Sequence, residues 1–298
     1  VAQGFLAWRN GKEAFKMPLT PEEISELTQI SWDIRKTIIE TTFTCGGSHI
    51  GGSLSQTDVL VALYFKYLNI DPARPDWADR DRFILSKGHG GVGWASVLAA
   101  RGYFDKALLK DFNKTGSPFG MHLDSLKVKG CDASTGSLGH GLAIGVGLAV
   151  GAKLQKKNYR TYVMMGDGEL CEGTIWEAAI LAGHHRLDNL TAFVDRNGLM
   201  IDGPTEKITT LEPIDEKFRA FGWEALTIDG HDFAAIGSAV EQAQSVSGKP
   251  CAIICKTVKG KCVGLMEGQA QWHYGGLNSD LRDEALKSVD TYYRALLG

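Results

Sequence analysis

At 298 residues, with 44% hydrophobic and 22% charged side chains, the chain has the composition of a globular protein able to bury a sizeable core. A net charge of -3 and a pI near 6.3 give no footprint for nucleic acid, and no run of eighteen apolar residues or signal-peptide pattern points to a membrane. The six cysteines form no CxxC pair and read as reduced thiols of a cytoplasmic enzyme.

Residues 1–20 read as an N-terminal arm, with Trp8 and Phe15 among scattered charge, and 21–298 as a single α/β domain. Thr20-Pro21-Glu22-Glu23 is a helix start, with Thr as N-cap and Glu at N3. The helix Glu22–Phe43 carries Ile24, Leu27, Ile30, Ile34, Ile38 and Ile39 on its core face. It stops at Cys45–Gly52, where four glycines around His49 predict a loop able to lie flat against a ligand. A helix over Val59–Leu68 follows. Asp81–Ser86 predicts the first parallel strand, running into Lys87-Gly88-His89-Gly90-Gly91, then a helix over Gly93–Arg101. Residues 102–135 read as short helix and loop, including His122. Gly141, Gly145, Ala149 and Gly147, Gly151 give the next helix two small-residue rows suited to close helix–helix packing at a subunit interface.

Thr161–Met165 reads as a buried strand ending in Gly166-Asp167-Gly168-Glu169. A second strand, Leu190–Val194, delivers Asn197 thirty positions after Asp167, room for one helix and a returning strand. Either turn alone is ordinary. Together they bring a carboxylate, an amide oxygen and a backbone carbonyl to one sheet edge, a hard ligand set for Mg²⁺ or Ca²⁺ shared with a diphosphate. Ile175–His185 reads as a buried apolar helix, Pro213–Phe221 as a helix and Glu224–Ile228 as a strand. Asp229-Gly230-His231-Asp232 reads as the start of the helix Phe233–Ser245, Cys251–Thr257 as a strand, Gly260–Asn278 as a loop and Asp280–Leu296 as a last helix. The alternation predicts a doubly wound, mostly parallel sheet with helices on both faces.

Five stretches stand in one order: Ser48-His49-Ile50-Gly51-Gly52, Ser86-Lys87-Gly88-His89-Gly90, Ser134 to Gly141, Gly166 to Gly173, and Asp195 to Glu206. They resemble the thiamine-diphosphate-binding domain of transketolase over about Ile34 to Asn278. The resemblance implies that Asp167, Asn197 and the Leu199 carbonyl hold the metal. It puts Gly166, Gly168, Glu169 and His89 at the diphosphate, and Gly136, Ser137, Leu138 and Ile201 along the cofactor's rings. His49, His122 and His273 match the family's histidines that face the sugar; with His89 they make the implied catalytic set, His89 and His273 also belonging to the cofactor set. His140, His184, His185 and His231 read as structural, and Glu172 and Glu177 as interface residues of the family pattern.

Transketolases place the carboxylate that activates thiamine diphosphate in a following pyrimidine-binding domain, and the chain ends before one. The resemblance therefore implies the first subunit of a split transketolase, assembled as α₂β₂ with a pyrimidine-binding partner. That enzyme would transfer a two-carbon ketol group from a ketose phosphate to an aldose acceptor. Two other readings stay open: a subunit of another thiamine-diphosphate enzyme, such as a 2-oxo acid dehydrogenase or a deoxyxylulose-phosphate synthase, and a non-catalytic diphosphate-binding scaffold.

Overall fold

The computed structural model describes residues 19–298, so the expected arm lies almost wholly outside the described residues. Helix α1 (Pro21–Cys45) starts on the capping box read from the sequence: the Thr20 hydroxyl accepts from Glu23 N, and the Glu23 carboxylate accepts from Thr20 N. Gly46, at φ 81°, closes it in the left-handed region.

The glycine stretch departs from the expected loop. Helix α2 (Ile50–Ser55) begins inside it, directly after His49, and α3 (Thr57–Ala62) follows. Its glycines serve close packing: a Cβ on Gly51 would lie 2.5 Å from the Trp272 carbonyl oxygen. The single helix expected to reach Leu68 is α3 plus a π-helical turn over Leu63–Tyr67.

Strand β1 (Arg82–Leu85) leads to α4 (Gly91–Arg101) and, after a long irregular stretch, α5 (His140–Leu154). Then come β2 (Thr161–Gly166), α6 (Gly173–His184), β3 (Leu190–Arg196), short helices α7 (Thr205–Ile208) and α8 (Ile214–Ala220), β4 (Glu224–Asp229), α9 (Phe233–Ser245), β5 (Cys251–Lys256) and α10 (Ser279–Leu297). The five strands form one parallel sheet in the order β1-β2-β3-β5-β4. Successive side chains feed opposite cores: Phe83, Leu85, Tyr162, Met164 and Phe193 join one, and Ile84, Val163, Met165, Ala192 and Val194 the other. Both faces are covered, which is why these strands read as nearly continuous apolar runs.

Two expectations about helix packing are corrected. On α5, Gly141, Gly145 and Ala149 are buried against the sheet: Cβ atoms on the two glycines would meet Ser86 at 2.3 Å and Val163 at 2.5 Å. Their small size serves helix-on-sheet contact, while Gly147 is exposed on the other row. Helix α6 is buried along Ile175, Ala178, Ala179 and Ala182 only, and Ile180 and Leu181 are about half exposed. Among the described residues no helix is long and apolar enough to cross a membrane.

Candidate active site

Parallel strands aim their carboxyl ends the same way, so the residues after β1, β2, β3 and β5 meet at one edge. Lys87 and His89 follow β1, Asp167 follows β2, Asn197 and Leu199 follow β3, and Lys259 follows β5. They line a cleft of about 380 Å³ that also takes in His49, Gly136, Leu138, Gly166, Gly168, Glu169, Ile201 and His273. Most of the residues named from the sequence are thus neighbours. His122 and Ser137 lie outside this lining, and Ser137 is exposed. His122 nevertheless backs it, since a Cβ on Gly136 would lie 3.2 Å from its ring.

The histidines converge at the mouth. The His49 ring lies 5.0 Å from His89, 6.4 Å from His122 and 5.3 Å from His273, centroid to centroid. Two distant loops make this possible: Ser48 and Gly275 exchange backbone hydrogen bonds of 3.0 Å, which hold the His273 segment against the His49 segment. Burial, then the neighbouring His122 and Lys259, lowers His49 to about 4. Burial, then Lys259 and His49, lowers His273 to about 4, and burial with Lys87 lowers His89 to about 2. Burial lowers His122 as well. At neutral pH the four rings are uncharged, able to accept a proton at one nitrogen and donate from the other.

Beneath the cleft sits polar machinery to which the sequence reading assigns no role. Lys87 pairs with the fully buried Asp195 and donates to the Gly52 carbonyl at 3.0 Å. Asp195 also accepts from Ser55 at 2.6 Å, from Asn197 at 3.2 Å and from Thr257. Lys259 is buried, and its Nζ lies 3.3 Å from His273 Nδ1, in position to donate to it. Burial, then Lys87, lowers the Lys259 ammonium to about 8. The available signals are a lysine between a strand end and a glycine turn for Lys87 and a charge inside an apolar strand for Asp195; Lys259 carries no local signal.

Glu169 has a structural part besides the one expected of it, and His231 differs from its expected part. The Glu169 carboxylate accepts from Gly139 N at 2.8 Å, from Gly166 N at 3.0 Å and from the Ser86 hydroxyl. It therefore staples the turn before α5 to the end of β2, although it borders the cleft. His231 does not start α9; the Asp232 carboxylate caps that helix by accepting from Ala234 N at 2.8 Å. His231 instead bonds Asp58 and the Val258 backbone.

The residues present fit a divalent cation and an anionic cofactor. The Asp167 carboxylate accepts from Gly198 N at 2.6 Å, Gly168 N at 2.8 Å and Arg196 at 3.1 Å, yet burial and the nearby Asp195 still push its carboxyl up. A cation bound there would offset that penalty, and Asn197 Oδ1 and the Leu199 carbonyl add oxygen donors on the same turn. Among the described residues no carboxylate pairs with Lys259, so a phosphate oxygen would supply its missing counter-charge. His49 Nδ1 is likewise buried with no protein partner among the described residues.

The family model for "Transketolase, thiamine diphosphate binding domain" matches residues 28–290. The chain is 44% identical over 257 residues to the 6-deoxy-6-sulfo-D-fructose transketolase subunit SqwG of Clostridium sp. (strain MSTE9), covering 86% of this chain and 94% of that one. It is 40% identical over 255 residues to an apulose-4-phosphate transketolase subunit from Phocaeicola vulgatus, covering 86% and 90%. Among solved structures, transketolase from Campylobacter jejuni superposes with a TM-score of 0.83 at 29% identity, over 94% of this chain and 46% of that one. Pichia stipitis transketolase in complex with sedoheptulose-7-phosphate gives 0.82 at 30%, over 92% and 44%. The chain thus spans less than half the length of these solved transketolases.

Proposed function

The chain belongs to the transketolase thiamine-diphosphate-binding domain family, and from that premise we propose that it is the diphosphate-binding subunit of a two-subunit transketolase. One observation carries the reading: an oxygen ligand set, a buried lysine with no carboxylate partner among the described residues and three uncharged histidines, His49, His89 and His273, share one cleft, with His122 behind it. Asp167, Asn197 and the Leu199 carbonyl would hold Mg²⁺, while His89, Lys259 and the backbone at Gly168 would face the diphosphate. Gly136, Ser137, Leu138 and Ile201 would flank the rings. Thiamine diphosphate, when bound, supplies the nucleophilic carbon and the electron sink for cleaving a C–C bond beside a ketose carbonyl.

The chain's own part is to orient sugar hydroxyls and move protons. His49, His122 and His273, uncharged at neutral pH, would accept a proton from a donor hydroxyl and return it to the acceptor's oxygen. The low polarity that depresses their basicity also strengthens their hydrogen bonds to a developing alkoxide. The substrate class we assign is a ketose with an anionic group at its far end. The two relatives support this: one is named for a 6-sulfo sugar and the other for a 4-phosphate sugar.

The partner would carry the pyrimidine-binding domain in an α₂β₂ assembly. Support comes from the relatives named as subunits, which this chain nearly covers, and from the exposed apolar Ile144, Leu154, Ile180 and Leu181 on α5 and α6. Native mass spectrometry of tagged protein purified from its host with Mg²⁺ and thiamine diphosphate tests the proposal. The expected particle has an unlike subunit of comparable size and two cofactors per four chains. Ketol transfer by the chain alone would overturn it.

A further inference from the structure

His231 lies outside the cleft, in the turn between β4 and α9, with its side chain 11% exposed. Both ring nitrogens are engaged, and in opposite senses. Val258 N donates to Nε2 at 2.9 Å, so Nε2 carries no proton; Nδ1 then carries it and donates to Asp58 Oδ2 at 2.8 Å. Asp58 is itself fixed by the buried Arg35, whose guanidinium grips both carboxylate oxygens at 2.7 and 2.8 Å. Arg35 also donates to Tyr293 of α10. The imidazole is thus a rigid strut between a buried ion pair and one peptide N–H.

That peptide is next to Lys259. The surrounding main chain is tied down residue by residue: Thr257 N donates to Arg196 O at 3.1 Å, Gly268 N to Lys259 O at 3.0 Å and Gly260 N to Gly51 O at 3.0 Å. Val258 N–H is held by a side chain instead, and that side chain is His231. We propose that His231 is a positioning residue for Lys259, fixing through the Val258 N–H the main chain that presents this lysine to an anionic phosphate group in the cleft. The proposal rests on Lys259 acting as a diphosphate contact.

Geometry supplies the test. The Asn amide lies about where Nδ1 does, so His231→Asn can keep the Asp58 bond but cannot reach Val258. The longer His231→Gln can place an acceptor near Nε2. The readout is the dissociation constant for inorganic pyrophosphate with Mg²⁺, measured by calorimetry on the full chain with whatever partner chain purifies with it. Lys259→Met should weaken binding about tenfold, as loss of a charge-assisted bond does. His231→Asn should weaken it several-fold, His231→Gln should stay near wild type, and His231→Asn should add little to Lys259→Met.

Unchanged binding in His231→Asn, binding impaired more by Gln than by Asn, or additivity with Lys259→Met would each overturn the positioning role. An unaffected Lys259→Met overturns the lysine reading and the proposal with it, a result distinct from a Lys259 effect without a His231 effect. Hydrogen exchange on the wild type covers the case in which His231→Asn fails to fold. Pyrophosphate should then protect the 229–232 segment, which lines no part of the cleft, together with 257–260. Protection confined to the cleft would sink the idea.

Discussion

Lys87 and Asp195 form an ion pair beneath the cleft with side chains 3% and 1% exposed, one arriving from the end of β1 and the other from the end of β3. Burial opposes the Asp195 charge, but Lys87 and the surrounding donors outweigh it and hold the carboxyl down. Replacing one partner strands the other charge in a low-dielectric interior. Lys87→Met should therefore destabilise the fold by about 3 kcal/mol, and Lys87→Met with Asp195→Asn should recover most of that loss. Urea unfolding of the two variants gives the comparison; equal stabilities would show that the pair contributes little.

Metal removal gives a second expectation. With the Asp167 carboxylate set among backbone donors and Arg196, and still pushed up by burial, a bound cation would add positive charge to offset both the carboxylate and a diphosphate. Chelation should abolish thiamine-diphosphate binding, and Mg²⁺ should restore it. Asp167→Asn should weaken cofactor affinity by about 100-fold. Calorimetry with and without chelator reads both effects, and metal-independent binding would contradict the proposed ligand set.

The sequence marked the sheet edge well, because its signals are local: a strand, a glycine turn and a polar residue at a fixed offset. Asp167, Asn197 and His89 were legible that way, whereas Gly136 was marked by the family resemblance alone. What escaped depended on contacts between distant segments. Lys259 is informative only because β5 lies beside β3, and His231 only because the turn after β4 meets Asp58 of α3. Ile50-Gly51-Gly52 read as a loop from composition, yet burial against the 272 segment makes it helical. The half-exposed face of α6 read as core because the same apolar residues suit a core or an interface.

The histidine cluster sets a pH window. His49 and His273 titrate at about 4 in the folded chain, His89 and His122 are also lowered, and an unfolded histidine titrates near 6.5. Below about pH 6.5 the unfolded chain therefore binds protons that the folded chain refuses. The cluster's contribution is intact above that pH and is progressively lost as pH falls from about 6.5 towards about 4. Melting temperatures across this range should fall less steeply for His89→Gln than for wild type. Parallel curves would mean that these rings do not drive the acid response.

Gly51 offers a test of close packing at the site. A methyl group there would lie 2.5 Å from the Trp272 carbonyl oxygen and 2.8 Å from Lys259 Cγ, so both the His273 segment and the lysine would have to shift. Gly51→Ala should cost about 1–3 kcal/mol, as overpacking does, and should weaken pyrophosphate binding along with stability. Gly147→Ala, on the exposed row of α5 with nothing within 4 Å of its Cβ, should instead raise the isolated chain's stability by about 0.5–1 kcal/mol through helix propensity. Denaturation of both variants, with calorimetry on the first, decides the matter. A Gly51→Ala protein as stable and as tightly binding as wild type would mean that the cleft absorbs a methyl group without moving His273 or Lys259.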